Sequence, residues 1–168
     1  MRDAADRVLG LSAPSRAQGL VMISEAVWWV TIVDATLVRY HPDVYHAVLT
    51  GRPVAERELI EGTLAGLRFV RNWMGYHADH ADFIRPLASR AGSGGGPIAA
   101  WRWRSLPQPA VTSFPPLRQE WELDRYQAYQ AHLARHAVGE VFSRAAAFLG
   151  QATAQSAAGN LPQPISHT

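Results

Sequence analysis

The chain has 168 residues, enough for one domain with its own hydrophobic core, because a domain of this size buries roughly 70% of its unfolded surface. It contains no cysteine, which excludes disulfides, zinc–thiolate sites and thiol nucleophiles. The sixteen Lys and Arg residues are all arginine and the formal net charge is +2, a small excess that permits an RNA ligand without requiring one.

Apolar residues at three- and four-residue spacings predict a first long helix over residues 15–40, which His41-Pro42 ends. A short helical turn is expected over residues 43–49. The amino-terminal residues lack an uninterrupted apolar stretch, and the apolar run at 26–33 is too short to cross a bilayer, so we expect neither a secretory signal nor a membrane span. These features predict a cytoplasmic protein.

The next long helix is predicted over residues 54–84, after a break at Gly51 and Pro53. Three glycines interrupt its interior, each at a cost of up to about 1 kcal/mol relative to alanine. Such losses indicate that another backbone or a ligand approaches the helix closely. The three positions are Gly62, Gly66 and Gly75.

A Gly/Pro-rich connection is predicted over about residues 86–119, with the flexible sequence AGSGGGP inside it. Within it the alternation Trp101-Arg102-Trp103-Arg104 favours an extended arm that packs both tryptophans and exposes both arginines. Helical spacing resumes over residues 120–149, and residues 152–168 resemble a disordered tail. The sequence therefore predicts one all-α domain over residues 1–151, a four-helix-bundle-like fold with a long connection before its last helix.

Three polar residues on the 54–84 helix form the most informative pattern in the chain. Arg71 and Asn72 are followed by His77, and six residues of helix separate Arg71 from His77 by about 9 Å of rise and roughly 120° of rotation. A phosphate-sized pocket between the two side chains is easier to build if a second copy of the helix packs alongside. The pattern therefore favours a homodimer through this helix.

The segment GLRFVRNWMGYH, which holds these residues, resembles the motif of the HEPN superfamily. That motif is an arginine, four to six residues and a histidine, and asparagine directly after the arginine is its commonest form. The resemblance covers residues 15–84 and implies a HEPN domain with metal-independent endoribonuclease activity of the toxin or phage-defence kind. It implies no cofactor and no metal site, and a possible antitoxin or other regulatory protein as partner.

In the chemistry that the resemblance implies, the ribose 2′-hydroxyl attacks the adjacent phosphate and leaves a 2′,3′-cyclic phosphate. His77 would exchange the proton, since histidine titrates near neutrality. Arg71 would bind the scissile phosphate through two donors, and Asn72 would be positional. Further candidate RNA ligands are Arg68, His80, Arg102 and Arg104, and Tyr76 is a candidate site for a silencing modification.

Two other functions fit the same residues. A non-catalytic HEPN-like module would use the fold to bind a nucleotide or a protein. A DinB-like metal-binding bundle would combine the cluster of His77, Asp79, His80 and Asp82 with ligands from facing helices. The candidates for those ligands are Glu25, Asp34, His132 and His136, the last two of which are spaced four residues apart on one helix.

Two features of the first helix bear on the motif. Glu25 and Asp34 lie among large apolar residues, where a buried carboxylate needs a partner. Either is a candidate partner for Arg71, and a salt bridge on a helix face is the competing interpretation. Trp28 and Trp29 point about 100° apart, so we expect at least one in the core and the other at a dimer interface.

Overall fold

The computed structural model describes residues 16–76, 83–86, 101–110, 114 and 116–159, which form five α-helices and a two-stranded antiparallel sheet. The expected all-α class with very little β-structure is confirmed. In chain order the elements are α1 (Arg16–Tyr40), α2 (Pro42–Thr50), α3 (Val54–Tyr76), β1 (Ile84–Pro86), β2 (Trp101–Trp103), a 3₁₀ turn (Pro116–Arg118), α4 (Gln119–His132) and α5 (Val138–Gly159).

The first two helix boundaries follow from local chemistry. Pro42 lies in the first turn of α2, where its missing N–H costs nothing. Helix α1 does not continue through Pro42, because the proline ring would clash with the preceding turn. The Gly51 N–H closes α2 by donating to the Ala47 carbonyl at 3.0 Å, and α3 begins three residues later. The predictions for the first helix, the short turn and the start of the motif helix are confirmed.

Helix α3 packs closely against α4, at the glycines in its interior. A Cβ atom on Gly66 would lie 3.1 Å from the Tyr129 Cα and 2.6 Å from the Leu133 Cδ1, and one on Gly62 would overlap the His132 ring. The expectation that another backbone approaches these glycines is therefore confirmed for Gly66. Around this contact the core gathers fully buried side chains from α3, α4 and α5, including Leu64, Leu67, Phe69, Tyr129, Val141 and Phe148.

The hairpin of β1 and β2 covers this core, with Ile84 opposite Trp103 and Pro86 opposite Trp101. Both tryptophans are buried, as the alternating sequence predicts. The prediction that the motif helix reaches residue 84 is wrong, because Ile84 is buried in β1. Its backbone is committed to the ladder with β2 instead of to a helix.

The single helix predicted over residues 120–149 is wrong, since α4 and α5 are separated at residues 133–137. The backbone at the break pairs with β2: the Arg135 N–H donates to the Trp103 carbonyl at 2.9 Å, and the Trp103 N–H donates to the His136 carbonyl at 3.0 Å. Arg135 has a positive φ of 71°, which a continuous helix does not permit. The expected bundle thus has two helices after the long connection.

Helix α5 also extends beyond the predicted end of the domain. It continues to Gly159 and buries Ala152 and Ser156. The expectation of a disordered tail from residue 152 is therefore wrong as far as residue 159, because small residues at four-residue spacing still pack against the bundle. Residues 160–168 lie outside the described part of the chain.

One face of α1 remains in solvent. Trp28 is 48% exposed and Trp29 is 60% exposed, so the prediction that at least one of them lies in the core is wrong. Helix α1 buries the opposite side, which carries Ile23, Val27 and Leu37. Residues Ala17–Tyr40 are long and apolar enough to cross a membrane by length and composition alone, a criterion that core helices of soluble proteins also meet. The expected absence of a membrane span therefore stays a prediction.

Candidate functional site

Arg71 lies on α3 with its side chain half-buried. Its Nε and one terminal nitrogen donate to the Asn72 Oδ1 at 3.3 and 3.1 Å, and its Cζ lies 5.7 Å from the centre of the Trp28 ring. Within the described residues no carboxylate pairs with it. Within the described part of the chain, the guanidinium is therefore positioned by neutral neighbours.

Asn72 is fixed from the other side by a buried carboxylate. Its Nδ2 donates to the Glu122 Oε1 at 2.6 Å, and the same oxygen accepts a hydrogen bond from Arg125 at 2.8 Å. Glu122 is 1% exposed. With the amide nitrogen committed to Glu122, the amide oxygen is aimed at Arg71. The positional role of Asn72 in catalysis stays a prediction.

Glu122 was not among the site residues predicted from the sequence. The available signal was its spacing on α4, since it precedes Tyr126 by four residues and Tyr129 by seven, and both tyrosines are buried. A carboxylate on the buried stripe of a helix needs a partner. The sequence could not say that the partners would be Asn72 and Arg125.

The first-helix carboxylate that reaches the motif helix is Asp34, and its partner is Arg68. Asp34 is fully buried and accepts a hydrogen bond from the Arg68 Nε at 2.7 Å and another from the Tyr45 hydroxyl at 2.9 Å. Burial raises the pKa of Tyr45, and the neighbouring carboxylate raises it further. Glu25 is exposed. Neither candidate pairs with Arg71, and an RNA phosphate would compete with Asp34 for Arg68.

Two predicted site residues, His77 and His80, lie outside the described residues. So do Asp79 and Asp82 and the side chain of Tyr76. The structure therefore places the arginine and asparagine of the motif, and the described part of α3 reaches Tyr76.

Arg102 and Arg104 lie on the hairpin and immediately after it. Arg104 is exposed, as predicted, whereas Arg102 is half-buried. The Nε of Arg102 is buried and makes no hydrogen bond with the described residues. The backbone of Arg102 lies between that of Arg85 in the ladder and that of Ala137 in an isolated bridge. The expectation that both side chains are exposed is confirmed for Arg104 only.

His132 and His136 belong to no group of potential metal ligands within the residues that the structure describes. The His132 ring packs on Gly62, and burial lowers its pKa, as do the nearby charges of Arg144 and His136. His136 lies 3.6 Å from the Glu140 carboxylate. In the described part of the chain no group of three or more His, Asp or Glu side chains could hold a metal ion.

Comparisons with protein-family models, with curated proteins and with solved structures found no match to this chain.

Proposed function

We propose that this chain is a metal-independent endoribonuclease of the HEPN kind, in which Arg71 holds the scissile phosphate and His77 transfers the proton. The observation that carries the proposal is the contrast between two arginines on α3. Arg68 is neutralised by the buried Asp34, whereas Arg71, three residues later, has no carboxylate partner among the described residues. A fixed cation without a counter-ion suits a site that receives an anion.

The reaction needs little from the protein beyond these groups. The RNA 2′-oxygen forms a bond to phosphorus while the bond from phosphorus to the 5′-oxygen breaks. The 2′-hydroxyl proton passes to a base, and the leaving 5′-oxygen receives a proton. His77 is the candidate for both transfers, and Arg71 would stabilise the charge that grows on the phosphate oxygens. DNA lacks the nucleophile and would not be cut.

The test is cleavage of single-stranded RNA by the purified protein in EDTA, with the fragment ends identified by mass. We expect 2′,3′-cyclic phosphate ends for the native chain and at least a hundredfold slower cleavage for Arg71→Ala and for His77→Ala. Arg57→Ala is the matched control, since Arg57 is a half-buried arginine on the same helix. This variant should cleave RNA at the native rate. Cleavage that disappears in EDTA, or native activity in Arg71→Ala, would refute the proposal.

The second candidate is a non-catalytic module that binds a nucleotide or an RNA at the same site. It uses the same cation and needs no acid or base. Fluorescence anisotropy with labelled RNA separates the two functions: binding that Arg71→Ala abolishes, without any cleavage by the native chain, would establish the module.

A toxin or defence role of the nuclease in the cytoplasm predicts growth arrest when the protein is expressed. Arg71→Ala or a cognate regulatory protein should relieve that arrest.

A further inference from the structure

The outer face of α1 is an apolar surface that the described chain leaves uncovered. Its large members are Val21, Trp28, Trp29 and Ile32, and all four are at least 43% exposed. At 100° per residue, the exposed positions Glu25, Ala35, Thr36 and Arg39 lie on the same face, and the eight residues named here lie within about 60° of Ile32. A contiguous apolar patch of this kind marks a contact surface.

We infer that this face binds the same face of a second copy of the chain, with the two α1 helices antiparallel and the two-fold axis close to Ile32. The charges on the face carry the inference. Glu25 and Arg39 each lie seven residues from Ile32, on opposite sides of it, so an antiparallel pair centred there sets Glu25 beside Arg39 of the second copy, twice. A parallel pair would instead set Glu25 against Glu25 and Arg39 against Arg39.

Neither charge has another ionic partner in the part of the chain that the structure describes. Glu25 makes no ion pair there, and Arg39 lies over the Tyr40 ring at 5.4 Å. Two opposite charges, placed symmetrically about the centre of an exposed apolar stripe, match a self-complementary interface. Binding to a lipid surface does not require opposite charges at equal distances from Ile32.

The sizes of the side chains agree with the same register. The axial heights of Trp28 and of Ala35 from the second copy differ by one residue, and both lie on one side of the helix pair. On the other side Trp29 lies near Thr36 of the second copy. Each large ring thus meets a small residue, which lets two helices approach to about 8–10 Å.

The inferred pairing changes where the two motifs lie. Arg71 flanks the Trp28 side of the face, and a two-fold axis normal to an antiparallel helix pair leaves that side unchanged. Both copies of Arg71 therefore lie on the same side of the interface, each beside a Trp28. The backbone positions of the two Trp28 residues are about 12 Å apart along the helix axis. Helix α3 would border the interface instead of forming it. The pairing itself does not depend on RNA cleavage.

A cysteine cross-link tests the face. The chain has no cysteine, so Ile32→Cys introduces a single thiol at the inferred axis, and mild oxidation should give a disulfide-linked dimer in high yield. Ala147→Cys, on an exposed position of α5, is the control and should remain monomeric on a denaturing gel. Equal yields from the two variants would overturn the inference.

Charge reversal tests the direction. By sedimentation equilibrium, Glu25→Arg and Arg39→Glu should each weaken the dimer about tenfold, because each change creates two like-charge contacts. The double variant should recover native affinity. Circular dichroism checks that these exposed substitutions leave the fold intact. A double variant no tighter than the single ones, or a native monomer that floats with phosphatidylcholine/phosphatidylglycerol vesicles, would overturn the inference.

Discussion

Arg68 and Arg71 show how two like residues on one helix acquire different electrostatic surroundings. Arg68 is tied to a fully buried aspartate that Tyr45 also binds. Arg71 is tied to an amide that a buried glutamate holds in place. The first arrangement neutralises the charge of Arg68 with a carboxylate. The second fixes the orientation of the Arg71 guanidinium with a neutral amide. The difference is decided by residues that lie on other helices.

Glu122→Ala should destabilise the fold by about 3 kcal/mol, because it removes a buried carboxylate and leaves the Asn72 amide and Arg125 without their acceptor. Urea unfolding followed by circular dichroism measures the change. Glu120→Ala, two residues earlier on the exposed side of α4, is the control and should stay within about 0.5 kcal/mol of the native chain. Equal effects of the two substitutions would contradict the description of Glu122 as a buried anchor.

His132 should make the protein less stable in mild acid. Its pKa is lowered in the folded chain, so between the unfolded value of about 6.5 and the lower folded value the unfolded chain binds more protons. Stability that is present above pH 6.5 is therefore lost as the pH falls through this window. Urea unfolding at several pH values should show a larger loss for the native chain than for His132→Gln. Identical pH dependence of the free energy of unfolding in the two proteins would disprove this role of His132.

Helices α1, α2 and the start of α3 could be predicted from the sequence because local signals determine them: apolar spacing, a proline and a glycine. The break between α4 and α5 could not. Apolar spacing continues across it through Leu133, Val138 and Val141, and the residue with positive φ is Arg135 instead of a glycine. At the end of α4 the backbone bonds to β2, some thirty residues earlier in the chain. Neighbouring residues in the sequence do not predict such a long-range contact.

The candidate site divides in the same way. The spacing of Arg71 and Asn72 with His77 was visible in the sequence. The links from Asn72 to Glu122 join residues fifty positions apart, and only the fold brings them together. The exposed tryptophans of α1 were misjudged for a related reason: both faces of that helix are apolar, so composition does not say which face meets the core.

The glycines of α3 and α5 give a paired test at this level. Gly66→Ala should destabilise the protein, because the new Cβ would lie 3.1 and 3.2 Å from the Tyr129 Cα and N and the helix backbones would have to separate. Gly150→Ala has nothing within 4 Å and should stabilise α5 by up to about 1 kcal/mol. Thermal unfolding of the two variants should shift in opposite directions. A stabilised Gly66→Ala would show that the helices are not in close contact.

The whole molecule is a helical bundle covered by a small hairpin. Trp103 has no exposed surface, and its ring lies against Tyr129 of α4 and Phe142 of α5. The side chain thus joins the hairpin to both carboxyl-terminal helices. The hairpin belongs to the core and is not an appendage of it.

Trp103→Ala should therefore cost about 3–5 kcal/mol of stability, the usual loss when a large aromatic side chain is removed from a core. Trp121→Ala is the matched control, since Trp121 is 62% exposed on α4, and its effect should be small. Chemical unfolding curves give both values. If the two variants unfold at the same denaturant concentration, the hairpin does not belong to the core.

The backbone of Trp103 links two distant parts of the chain. Its N–H and carbonyl bond to His136 and Arg135, while the next amide, that of Arg104, donates to the Phe83 carbonyl. The Trp103 and Arg135 amides can exchange with deuterium only when the hairpin leaves the loop between α4 and α5, whereas the Arg104 amide stays bonded to Phe83 until the hairpin itself opens. We expect Trp103 and Arg135 to exchange at one common rate, as a single cooperative opening unit, and Arg104 to exchange no faster than either.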